Sequence, residues 1–239
     1  MAASSLIGKL LVFIVTTLLF AGAGAVNVNK SIHIDDDSQI SGQSTVNGSI
    51  TIGSNVVVDG SLETVNGAIR VGDGSRMEKA ATVNGALRIG DGVTASGLES
   101  VNGGVRVGEN ANIRGDISLV NGKVAVASGG DVSGDVSNVN GEITIEGSRI
   151  GGDLSTVTGD VLLTDGSTLE GDLVVEKPRG FSWGRRKPPR VVIGPDSRVL
   201  GRIVAEHEIE LFISESAEVN EVSGEISLED AVRFSGDRP

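Results

Sequence analysis

The chain has 239 residues, no Cys, no Tyr, two His, 35 Gly and a formal net charge of −12 at pH 7. The lack of Cys excludes disulfides and thiolate metal sites, and two His leave little for a zinc centre. The acidic balance favours solubility and argues against a general nucleic-acid surface.

In chain order, Lys9 gives a short positive start. Leu10 to Phe20 is apolar except for Thr16 and Thr17, and Ala21-Gly22-Ala23-Gly24-Ala25 supplies small residues for cleavage. This layout predicts a secretory signal peptide over 1–25, with export to the periplasm, cell envelope or exterior. The apolar run is short for a spanning helix, although an uncleaved anchor is the alternative. No Cys follows it to carry a lipid.

A repeat then begins. Val-Asn-Gly stands at 46–48, 65–67, 83–85, 101–103, 120–122 and 139–141, and Val157-Thr158-Gly159 follows in step. Successive central residues are 18 or 19 apart. A fixed period of this size marks a solenoid, whose coils bury their apolar faces only by stacking. After each Asn-Gly comes an alternating apolar pair, such as Ile50/Ile52, Leu87/Ile89 and Ile143/Ile145. Period-two alternation is the mark of a strand with one buried face. About ten residues on comes apolar-x-Gly-x-apolar, as in Ile113-x-Gly115-x-Ile117 and Val132-x-Gly134-x-Val136. The Val before each Asn supplies a third inward position. Three runs per coil predict an all-β, single-stranded parallel β-helix with triangular coils of 18–19 residues over 26–175. Asn47, Asn66, Asn84, Asn102, Asn121 and Asn140 form a structural turn ladder, since Asn-Gly tolerates positive φ and stacked amides hydrogen-bond along a column. Val28-Asn29 and Ile32/Ile34 start a first coil, whose Asp35-Asp36-Asp37 blunts an open sheet edge.

Arg70, Arg88 and Arg106 follow successive Asn residues by four positions and predict one outward column. Asp73, Asp91 and Glu109 lie three residues beyond each. The set reads either as a charge-balanced, solvated face or as a stripe for a polyanion, such as acidic polysaccharide or lipopolysaccharide phosphate. Asp-Gly at Asp73, Asp91 and Asp165 hints at calcium, but the nonapeptide calcium-solenoid motif is absent. No metal and no cofactor is expected.

Residues 176–190 interrupt the repeat. They hold six of the chain's 20 basic residues and its single Trp. Pro and Gly mark a loop leaving the coil. Arg179, Phe181, Trp183, Arg185, Arg186 and Lys187 are the candidate binding residues, because basic groups beside aromatic rings suit anionic headgroups or sugar phosphates. Residues 191–239 resume the solenoid. Val199-x-Gly201-x-Ile203 restores the pattern, Ile209 to Ile213 and Val222 to Ile226 read as degenerate coils, and Val232 and Phe234 close the apolar end.

The Thr/Ser-Val-Asn-Gly-x-apolar-x-apolar unit resembles the adhesin-type families of bacterial exported β-solenoids over about residues 28–175. Val191-Val192-Ile193-Gly194-Pro195-Asp196-Ser197-Arg198-Val199-Leu200-Gly201-Arg202-Ile203 is similar to bactofilins, polymer-forming triangular β-helices. The second resemblance implies a right-handed coil. Together they imply a non-enzymatic envelope scaffold or adhesin, with a bactofilin-like filament former as the alternative. Partners are then an envelope component, a peripheral membrane contact or a second copy stacked end to end. A polysaccharide-active β-helix enzyme is the weaker reading. It needs convergent acids in a groove, whereas the acids here are scattered, and His33 and His207 fall in opposite end coils as surface residues.

Overall fold

The computed structural model describes residues 28–178 and 187–239. The chain winds through about ten turns of parallel β-solenoid, and among the described residues the only helix is a 3-10 turn, Leu228–Asp230. The segment 1–25 expected to be a signal peptide lies outside the described residues, as do Arg179, Phe181, Trp183, Arg185 and Arg186.

Each coil runs along three faces. Strands of the first face start three residues after each corner Asn, at Ile32–Ile34, Ile50–Ile52, Ile69–Val71, Leu87–Ile89 and Val105–Val107, and continue to Val232–Phe234 as an 11-stranded sheet. The second face carries short pairs such as Thr94–Ala95, Asn112–Ile113 and Asp131–Val132. The third carries Lys79–Asn84, Gly97–Asn102, Ile117–Asn121 and Val136–Asn140. Near the two ends, Gln39–Asn47 and Arg198–Ala205 continue from the second face onto the third with a shift of register, so these two faces join as one 15-stranded sheet.

The sequence repeat is the sheet register. Leu87 pairs with Ile69 below and Val105 above, and Asn84 with Asn66 and Asn102. Equivalent aliphatics therefore stack in columns inside the coil. Ile50, Ile69, Leu87, Val124, Ile143 and Leu173 are fully buried. Each such side chain contributes roughly 1.5–3 kcal/mol relative to exposure.

The third inward position differs from the expectation. The residue before each Val points inward, and the Val itself is half-buried on the outer side. Thr45, Thr64, Thr82 and Ser100 are buried, whereas Val46, Val65, Val83 and Val101 are not. Strand alternation decides this, since Leu62 and Thr64 share the inner side and Val65 must face out. The hydroxyl has a task there. Thr64 Oγ1 donates to the Gly48 carbonyl at 2.9 Å and Thr82 Oγ1 to the Gly67 carbonyl at 3.0 Å. A valine at this place would offer that carbonyl no donor.

The coils flanking 176–190 stack as if they were adjacent repeats. Val161, Leu162 and Leu163 pair with Val191, Val192 and Ile193. At the last coil, Phe234 is buried while Ile226 and Ala231 pack partly against the core. Val232 was expected to help close this end, but it stands 53% exposed, on the outer side of its strand opposite Phe212.

Candidate functional site

The columns on the outside of the rod are the surfaces available for function. At the corner between the third and first faces, the Asn side chains form a continuous hydrogen-bonded line. Asn47 Nδ2 donates to Asn29 Oδ1 at 2.7 Å, Asn66 to Asn47 at 2.8 Å and Asn84 to Asn66 at 2.9 Å. Asn102, Asn121 and Asn140 each donate to the Asn one coil below, at 3.0 Å. The Thr158 hydroxyl closes the line on Asn140 Oδ1. Positive φ is not what selects these residues, because only Asn29 in this column has it, at 81°. The glycines after them are selected by contact, and Gly103, Gly122 and Gly141 also hold the positive φ expected of the pair. A Cβ on Gly67 would stand 1.9 Å from the Gly48 carbonyl oxygen, and one on Gly85 1.9 Å from that of Gly67.

Arg70, Arg88 and Arg106 do share one outward column on the first face, each exposed and paired in register with the next. Two of their three expected acidic neighbours are engaged elsewhere. Asp73 Oδ1 accepts the Asp91 N–H at 2.9 Å, and Asp91 Oδ1 accepts the Glu109 N–H at 2.8 Å. These carboxylates tie one turn to the next, which is an ordinary structural use of the Asp-Gly pairs first weighed for calcium. Among the described residues, no group of three or more His, Asp or Glu side chains is arranged to hold a metal ion.

A second acidic line, at the corner between second and third faces, was not anticipated. Asp116, Asp135 and Asp153 each accept the N–H of the Asp one coil on, at 2.8–2.9 Å. Asp172 ends it by taking both the Arg202 N–H, at 2.8 Å, and its guanidinium, at 2.7 Å. That guanidinium holds the Asp172 carboxyl below its usual pKa. The signal was available as Gly-Asp within the apolar-x-Gly-x-apolar pattern.

Of the predicted binding residues in 176–190, only Lys187 is described. Its Nζ is 3.5 Å from Glu210 Oε2, so part of its charge is spent on the scaffold. Both ends of the segment are anchored on acids. Glu206 accepts the Lys177 N–H at 2.9 Å, and Asp160 accepts the Arg190 N–H at 2.8 Å. The Arg190 guanidinium lies 4.6 Å from the Phe212 ring centroid. Its Nε is 3.5 Å from Glu210 Oε2, an ion pair without hydrogen-bond geometry. Beside it a groove of about 610 Å³ is lined by Lys123, Glu142, Thr144, Leu162 and Val192. Lys123 and Thr144 both donate to Glu142 and lower its pKa.

The two His residues are far apart. His33 is exposed, with Nε2 3.5 Å from Asp35 Oδ1. His207 is half-buried rather than solvated, with Nε2 3.1 Å from the Val157 carbonyl. Comparison with family models, curated proteins and solved structures finds no match to this chain.

Proposed function

We propose that this chain is a non-enzymatic β-solenoid scaffold, exported and held in the bacterial cell envelope, of the adhesin type its repeat resembles. The continuity of the stack carries this reading. Coils close on each other across the basic aromatic segment 176–190, and the rod anchors its two ends at Lys177 and Arg190. Segments inserted between the elements of a rigid scaffold commonly carry binding function. Basic groups beside Phe181 and Trp183 suit anionic headgroups or sugar phosphates. The N-terminal layout of charge, apolar run and small residues supports export.

The test is fractionation of cells expressing the full chain, with the intact mass of the product. A periplasmic or envelope product beginning near Val26 supports the reading. A cytosolic product that retains Met1 to Ala25 overturns export. Replacing Trp183, Arg185, Arg186 and Lys187 together with Ala should release the protein from the envelope fraction with its thermal unfolding unchanged. Unaltered partitioning of that variant would remove the segment from the binding role.

A bactofilin-like filament is the second reading, since among the described residues both solenoid ends present unpaired strand edges. Charge opposes it. Asp35, Asp36 and Asp37 are exposed in the first coil, and Glu218, Glu221, Glu225 and Glu229 at the other end. Head-to-tail stacking would bring these acids together. Electron microscopy separates the two readings: single rods for the scaffold, long filaments for the polymer.

A further inference from the structure

We propose that the first face over coils 66–109 binds a linear acidic polysaccharide through Arg70, Arg88 and Arg106. The inference depends neither on the 176–190 segment nor on export. One guanidinium stands on each of three successive coils, in register. Parallel strands repeat at about 4.8 Å, so these positive charges do too. Like charges directly opposite on neighbouring strands are destabilising, and the fold does nothing to relieve them. Among the described residues none of the three makes an ion pair or a side-chain hydrogen bond. Asp73 and Asp91, the acids nearest Arg70 and Arg88 in sequence, are turned to backbone amides, and Glu109, the acid nearest Arg106, makes no ion pair with it. A column of unneutralised arginines in a chain of net charge −12 is a local reversal of sign.

The surface around the column is kept low. Ala68, Ala86 and Gly104 precede the strand positions, and Gly72, Gly90 and Gly108 follow them. A side chain on the second set would collide with the neighbouring coil. A Cβ at Gly72, Gly90 or Gly108 would come within 2.6, 2.3 or 2.4 Å of the adjacent coil. The guanidinium groups therefore rise from a flat strip open to an extended ligand.

Beyond the small residues runs the exposed corner of Asn66, Asn84 and Asn102. Each amide spends one N–H and one acceptor lone pair on its neighbours. A second N–H and a second lone pair remain on each. The strip thus presents repeated cations beside repeated amides. A sugar chain that carries a carboxylate or sulfate at regular intervals, with hydroxyls between, matches both rows. Arginine holds such groups in a two-pronged geometry that lysine cannot reproduce. An anionic lipid surface would use the arginines but not the amides, and the strip offers no large apolar side chain for insertion.

The experiment uses the full chain in affinity electrophoresis through gels containing polygalacturonate, dextran sulfate or neutral dextran. Retardation is expected in at least one of the two polyanions and not in dextran, and it weakens as salt is raised. Arg88→Gln should weaken binding about tenfold, the size of one lost charge-assisted contact. The triple change Arg70→Gln, Arg88→Gln and Arg106→Gln should abolish it. Because the three side chains are exposed and repel one another, the triple variant should unfold at the same temperature as the parent or higher. The corresponding triple Lys variant should bind more weakly than the parent and more tightly than the Gln variant. Equal retardation of parent and triple Gln variant would overturn the proposal, as would failure of the parent to bind either polyanion. Binding to phosphatidylglycerol vesicles with none to either polysaccharide would assign the strip to lipid and also overturn it.

Discussion

Gly85 sits where two coils touch, and adding one methyl there tests the stacking directly. A Cβ at this position would stand 1.9 Å from the Gly67 carbonyl oxygen and 2.5 Å from its carbon. Ordinary contact needs more than about 3 Å, so the corners must part by an ångström or more. Three hydrogen bonds cross this corner: Gly67 N–H to Asn84 O at 3.1 Å, Ile69 N–H to Ala86 O at 3.0 Å and the Thr82 hydroxyl to the Gly67 carbonyl at 3.0 Å. Loosening them at about 1 kcal/mol each gives a loss near 3 kcal/mol, at the top of the usual range for overpacking. For a chain of this size that is a fall in Tm of roughly 6–12 °C. Thermal unfolding of Gly85→Ala followed by far-UV circular dichroism reads it. Gly97→Ala is the control, because its Cβ would meet nothing closer than 3.4 Å. A Gly85→Ala melting curve within 2 °C of the parent, or an equal loss for Gly97→Ala, would refute the close-contact explanation.

Leu87 is 0% exposed, so Leu87→Asp places an unpaired charge among stacked aliphatics. A loss of about 4 kcal/mol or more is expected, seen as collapse of the β-sheet signal at the parent's working temperature. Asn84→Ala removes two rungs of the amide line, of 2.9 and 3.0 Å. Calorimetry should show a loss of roughly 1–2 kcal/mol, small because the line is exposed. Burial raises the Glu63 pKa, Lys79 opposes the shift and Glu99 adds to it. The protonated form therefore favours the fold, and this contribution is lost as pH rises through the raised pKa. Glu63→Gln should be more stable than the parent at pH 7, with the gap closing below about pH 4, where the carboxyl is protonated in both states. A gap that stays constant across this pH range would contradict the assignment.

Much of this architecture was legible in the repeat. The 18–19 residue period, the alternation after Asn-Gly and the Asn column all follow from residue types at fixed spacing, because a coil can be stable only if equivalent residues land on each other. The Arg column was legible for the same reason. The sequence did not reveal which of two adjacent residues points inward. Thr64 and Val65 both fit a strand, and alternation from the buried Leu62 put the threonine inside, where its hydroxyl donates to the Gly48 carbonyl. Nor could spacing say why Gly85 is glycine, since the reason is an atom of the coil below and not the backbone conformation at Gly85.

The amino-acid sequence by itself determined the parallel β-solenoid, since short-range periodicity carries all the information needed to stack like on like. The tertiary structure alone decided which charges remain free. Asp73 and Asp91 look like partners for the arginines along the chain. Stacking instead sets their carboxylates against N–H groups one coil away, and Arg70, Arg88 and Arg106 are left facing solvent. A carboxylate takes the donor that the fold has already fixed in place in preference to a long side chain that must be immobilised to reach it.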